Sequence, residues 1–115
     1  MPTREFYNEQ IEKEFAAARE AREVGNDGRM RVCARRAAGL AIRWFLSKHE
    51  RDGWGSDALR QLQHLKEDEF FPQEVRDAAM RLITKVSDKF TYAFATDPVE
   101  DATLIVRYIE SVMNS

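Results

Sequence analysis

The chain contains one cysteine, two histidines, three prolines and five glycines among its 115 residues, and each scarcity excludes something. A single cysteine, Cys33, cannot close an internal disulfide, and its place on an apolar helix face gives it a packing role. Two histidines and one cysteine leave no Cys/His set for structural zinc. Carboxylate metal sites in helical bundles use Glu-x-x-His pairs, but the residues three before His49 and His64 are Leu46 and Gln61, so no metal is expected. The glycines form neither a GxGxxG nor a GxxxxGK[ST] pattern, which removes the usual phosphate-cradling loops and, with them, any expected cofactor. No run approaches the ~20 apolar residues needed to cross a bilayer. The stretch Met1-Pro2-Thr3-Arg4-Glu5 lacks the apolar core of a signal peptide, so no membrane association and a cytoplasmic location are expected.

What remains is an ordinary mixture, 43% apolar and 33% charged, at a length suited to one hydrophobic core, residues 1–115 forming a single domain. The apolar residues recur at three and four rather than in alternation, which predicts helices throughout. The first spans about Thr3 to Val24, with Tyr7, Ile11, Phe15, Ala18 and Ala21 on one side, and Gly25-Asn26-Asp27-Gly28 ends it. The second, about Gly28 to His49, carries Met30, Cys33, Ala34, Ala37, Ala41, Trp44 and Phe45 as its main face. Val32, Gly39, Ile42 and Leu46 lie on its other side, and an element apolar on two sides is central in its bundle or lies at a subunit contact. These four are the candidates for a dimer or helix contact, with Gly39 permitting close backbone approach.

After the loop Asp52-Gly53-Trp54-Gly55, Ser56 and Asp57 read as the cap and first turn of a short helix bearing Leu59, Leu62 and Leu65. Trp54 is expected to fold over the bundle end. Phe70-Phe71-Pro72 opens a fourth helix with the stripe Val75, Ala78, Ala79, Leu82, Ile83, Val86 and Phe90. Asp97-Pro98-Val99-Glu100 opens the last, where aspartate caps, proline suits the first helical position and glutamate completes a capping-box-like pattern. The expected fold is all-α, an antiparallel bundle of four main helices plus one short helix.

The net charge of −2 conceals an asymmetry. From Arg29 to Arg51 there are seven Lys or Arg against one acid, Glu50, whereas six glutamates fall between Glu5 and Glu23. Arg29, Arg36 and Arg43 repeat every seven residues, so their guanidiniums line one edge of the second helix. Such a row suits an anionic ligand, as it would track phosphates. It suits equally well a row of salt bridges to Glu9, Glu12 or Glu20, or a dimer rim.

The first-helix run Glu14-Phe15-Ala16-Ala17-Ala18-Arg19-Glu20-Ala21, the break Gly25-Asn26-Asp27 and the alanine-rich run Arg35 to Leu46 together resemble the HEPN family of helical nucleotide-binding and ribonuclease domains. Leu59 to Leu65 is similar to that family's short leucine-bearing helix, and Phe90-Thr91-Tyr92 with Asp97 to Ala102 to the link into its closing helix. The resemblance implies a helical bundle that forms a homodimer, works beside a nucleotidyltransferase-type partner, and binds a nucleotide, RNA or that partner.

Active ribonucleases of the family carry an arginine followed four to six residues later by a histidine. Arg43 and His49 have that spacing but occupy the end of the second helix rather than the start of a later one. On a continuous helix six residues turn through ~600°, leaving the two side chains ~120° apart. The expectation is therefore a non-catalytic HEPN-like domain with Arg29, Arg36 and Arg43 as anion-binding residues. A divergent ribonuclease and a purely structural adaptor are the alternatives.

Overall fold

The computed structural model describes residues 2–84 and 97–115, and among them the protein is all-helical. Helix α1 is Arg4–Glu23, α2 is Asp27–Leu46, α3 is Ala58–Leu65, α4 is Gln73–Ile83 and α5 is Pro98–Met113. Most of the helix starts carry a local cap. Thr3, Asn26, Asp57 and Asp97 each accept, through a side-chain oxygen, the backbone N–H three residues on, at 2.8–3.1 Å. Each bond satisfies one of the amides that a helix leaves without an internal partner. The third cap falls on Asp57 rather than Ser56. At the end of α1, Gly25 adopts φ +75°, Asn26 N–H reaches Ala21 O at 2.8 Å, and Gly25 N–H reaches Arg22 O at 3.1 Å. This paired closure needs a residue at positive φ, which glycine supplies without strain.

Helix α2 stops at Leu46, a turn short of the expected end. Ser47, Lys48 and His49 still donate backbone N–H groups to Trp44 O and Phe45 O, so the chain leaves the helix gradually. Helix α2 packs against α1, α3 and α5, the central position that its two-sided apolar pattern implies. Its residues Ala34, Ala37, Ala38, Ala41, Ile42 and Phe45 are fully enclosed, and the small alanines allow neighbouring backbones to come close. Ile105 and Ile109 of α5 and Val75, Ala78, Ala79 and Leu82 of α4 complete the core. Val86 and Phe90, expected to extend the α4 stripe, lie outside the described residues. Trp54 is buried, its ring stacked 5.7 Å from that of His64 in α3.

Three arginines tie the α4 side together. Arg35 Nε donates to Leu82 O at 2.8 Å and Arg31 Nη2 to Thr84 O at 2.9 Å, placing two cations where the carbonyl end of α4 is electronegative. Arg81 donates to Asp101 Oδ1 at 2.8 Å from Nη2, and the carboxylate is wholly buried in α5. A buried carboxylate requires such a partner, because the uncompensated charge would cost several kcal/mol.

Candidate anion-binding cleft

On its other side α2 meets the start of α3. A Cβ placed on Gly39 would stand 2.8 Å from Ala58 Cβ and 3.3 Å from Ala58 Cα, so the two backbones approach this closely only because position 39 has no side chain. Beside this contact α1, α2 and the start of α3 line an open cleft of about 410 Å³. Glu14 of α1, Arg36, Leu40 and Arg43 of α2, and Ala58 and Gln61 of α3 are among its walls. The volume falls in the range of small-molecule sites, roughly 300–1,000 Å³.

The charges in the cleft are held loosely. Arg36 is exposed and its Nη1 lies 4.0 Å from Glu14 Oε1, the outer limit of an ion pair and a weak one in water. Arg43 is also exposed, and its Nη2 donates to Ser56 O at 3.1 Å. A guanidinium has five N–H donors, so one such bond positions Arg43 and leaves donors for something else. Asp57 also lines the cleft, with Oδ2 already accepting Arg60 N–H at the cap of α3. The lining therefore has two cations on one wall and carboxylates opposite, a mixed-sign site rather than a uniformly positive groove.

The seven-residue arginine row does not act as a unit. Arg36 and Arg43 line the cleft; Arg29 is exposed near the N-terminus of α2 and does not. The acid that faces the row is Glu14, whereas Glu9 pairs with Lys13 within α1 at 3.4 Å, and no ion pair joins the row to Glu9, Glu12 or Glu20 among the described residues. Of the four contact candidates, Gly39 meets α3, Ile42 is wholly buried in the core, Leu46 packs partly buried against it, and Val32 is exposed. Arg43 and His49 lead to different neighbourhoods. The His49 ring stacks on Phe45 at 4.5 Å and leans on Phe70, while Arg43 turns toward Ser56.

The short helix corrects one expectation. Leu59 is exposed, and Gln61, not expected in the core, is completely buried. The inward face is Ala58, Gln61, Leu62 and Leu65, a proper three-and-four spacing that a reading based on leucines alone passes over.

Behind the cleft, Asp68 accepts from Arg51 Nε at 2.8 Å and from Phe70 N–H at 2.9 Å, while the Arg51 guanidinium lies over the Phe45 ring. Burial works to raise the Asp68 pKa, but the bonds from Arg51 and Phe70 and the charges of Arg51 and Arg76 outweigh it, leaving the carboxyl below its ordinary value. This cluster fixes the chain after α2 and α3 and offers no open site. A larger hollow of about 610 Å³ lies between Tyr7, Trp44 and Met113, but none of the candidate arginines reaches it. Among the described residues no group of three His, Cys, Asp or Glu is placed to hold a metal, and no helix is long and apolar enough to cross a membrane. Compared with models of protein families, with curated proteins and with solved structures, the chain shows no match.

Proposed function

We propose that this chain is a non-catalytic, HEPN-like helical binding domain that holds an anionic ligand, a nucleotide or an RNA phosphate, in the cleft between α1, α2 and α3. The observation that carries this reading is the pair Arg36 and Arg43, exposed on one wall of an open cleft with most of their donors uncommitted. Cations retained only for stability are normally covered or closely paired, as Arg31 and Arg81 are. The ribonuclease alternative draws no support from the Arg43 and His49 geometry, since the imidazole is stacked among aromatic rings. Assembly as a homodimer and work beside a nucleotidyltransferase-type partner rest on the family resemblance, and light scattering on the purified chain tests the former.

The binding reading is tested by titrating adenosine monophosphate and a short single-stranded RNA into the protein and into the double variant Arg36→Ala/Arg43→Ala. Hydrogen bonds to charged groups contribute roughly 1.5–3 kcal/mol each, so affinity should fall at least tenfold with helicity intact. Affinity equal to that of the parent protein rejects the cleft as the site.

A further inference from the structure

The open hollow of about 610 Å³ is lined by the start of α1, the end of α2 and the end of α5, through Arg4, Tyr7, Trp44, Lys48, Met113 and Asn114 among others. It shares no residue with the cleft. The rings of Tyr7 and Trp44 stack with centroids 6.4 Å apart, and each residue is more than nine-tenths buried. A buried tyrosine or tryptophan ordinarily gives its polar end a hydrogen-bond partner. Among the described residues neither the Tyr7 hydroxyl nor Trp44 Nε1 has one, yet the side-chain atoms sealed off without a partner are Arg31 Nε and Gln61 Oε1. The two aromatic tips are therefore open to solvent, in residues that are otherwise covered and that both line the hollow.

Each of these donors has a cation one turn away. Arg4 and Tyr7 are three residues apart on α1, and Trp44 and Lys48 are four apart at the end of α2, where the Lys48 N–H still reaches Phe45 O at 3.1 Å. Arg4 Nη1 donates to Asn114 Oδ1 at 3.1 Å, which ties it to the end of α5 and leaves its other donors uncommitted. Neither cation forms an ion pair among the described residues, and no aspartate or glutamate lines the hollow. The lining thus sets a phenolic O–H, an indole N–H and two cations beside apolar surface from Pro2, Met113 and the aromatic rings.

We infer that this hollow is a second binding site, for a carboxylate carried on a small apolar body, with Arg4 and Lys48 attracting the charge and Tyr7 Oη and Trp44 Nε1 donating to its oxygens. An indole N–H can only donate, so the site calls for an acceptor, and unpaired cations call for a negative one. Neutral donors among apolar walls suit a monoanion on hydrocarbon better than a doubly charged phosphate, whose dehydration costs more, and this separates the ligand from that of the cleft. The volume is that of a small-molecule site.

The test titrates octanoate, and in parallel octylammonium, into the nitrogen-15-labelled protein below the micelle concentration of either. The chain has two tryptophans and hence two indole N–H resonances. Octanoate should move that of Trp44 downfield to saturation and leave that of Trp54 in place, and octylammonium should move neither. Arg4→Ala/Lys48→Ala, at exposed positions, should weaken octanoate at least tenfold, and Tyr7→Phe, which removes the hydroxyl and keeps the ring, should weaken it several-fold. A Trp44 resonance that octanoate leaves unmoved, or that octylammonium moves equally, overturns the inference, as does undiminished affinity in the double variant. Should Tyr7→Phe fail to fold, the parent protein's response to the two probes and the double variant decide the matter. The adenosine monophosphate titration of the cleft is unaffected by either result.

Discussion

Arg31 and Arg35 leave α2 toward α4, whereas Arg36 and Arg43 leave it toward α1 and α3, and the two pairs serve different ends. The first pair caps the carbonyl end of α4, close to Leu82 and Thr84, and Arg31 is almost fully covered. The second pair stays exposed around a cleft, with one long ion pair and one carbonyl contact. All four carry the same charge on the same helix, so residue type does not distinguish them. What does is the neighbour. A helix C-terminus, together with the Arg81 and Asp101 pair, makes the α4 side a place where charge is compensated and enclosed. On the other side, the close contact of Gly39 with Ala58 lies beside an open cleft. One basic helix therefore has an enclosed side and an open side, and the proposed binding falls on the open one.

That division is most severely tested on the enclosed side. Asp101→Ala removes a wholly buried carboxylate from its ion pair with Arg81, and the loss of unfolding free energy in urea should be about 3–5 kcal/mol. A loss below ~1 kcal/mol would show that the pair is not enclosed in solution. Arg35→Leu removes a charge-assisted bond to Leu82 O, and the same measurement should give roughly 2 kcal/mol.

The Arg51 and Asp68 pair is intermediate, with side chains 28% and 19% exposed. Because the Asp68 pKa is depressed in the folded protein, its contribution is fully present above the ordinary carboxylate range and is lost as pH falls through the lower folded value. Parent and Arg51→Gln should therefore differ by up to ~1 kcal/mol at neutral pH. The gap should narrow in acid to whatever the stacking of Arg51 on Phe45 contributes. A gap that widens in acid contradicts the assigned direction. Smallest of all, Arg36→Ala should leave the unfolding free energy nearly unchanged, a change within ~0.5 kcal/mol, since exposed pairs at 4.0 Å add little.

Much of the fold was legible because its signals are local. Asp97-Pro98 and Gly25-Asn26 mark helix ends through chemistry confined to a few residues, and the α5 stripe of Ala102, Ile105, Val106 and Ile109 follows from helical spacing. The end of α2 was overestimated because Ser47 to His49 continue the turn without continuing the helix. The cleft was only half legible. Arg36 and Arg43 stood out by their repeat, but separating them from Arg29 needs the position of α3, which is a matter of tertiary contact. Gln61 and the Arg81 and Asp101 pair were missed for the same reason. A polar residue on an inward face looks like an exposed one until its partners, or their absence, are known.

The central claim is that the open side of α2 is where an anion binds, and its most direct measurement is a nuclear magnetic resonance titration with adenosine monophosphate, followed residue by residue. Shifts should concentrate at Glu14, Arg36, Leu40, Arg43, Ala58 and Gln61, with little change at Arg31, Arg35 or Asp101. Shifts centred on the Tyr7 and Trp44 hollow, or none at saturating nucleotide, would contradict the account.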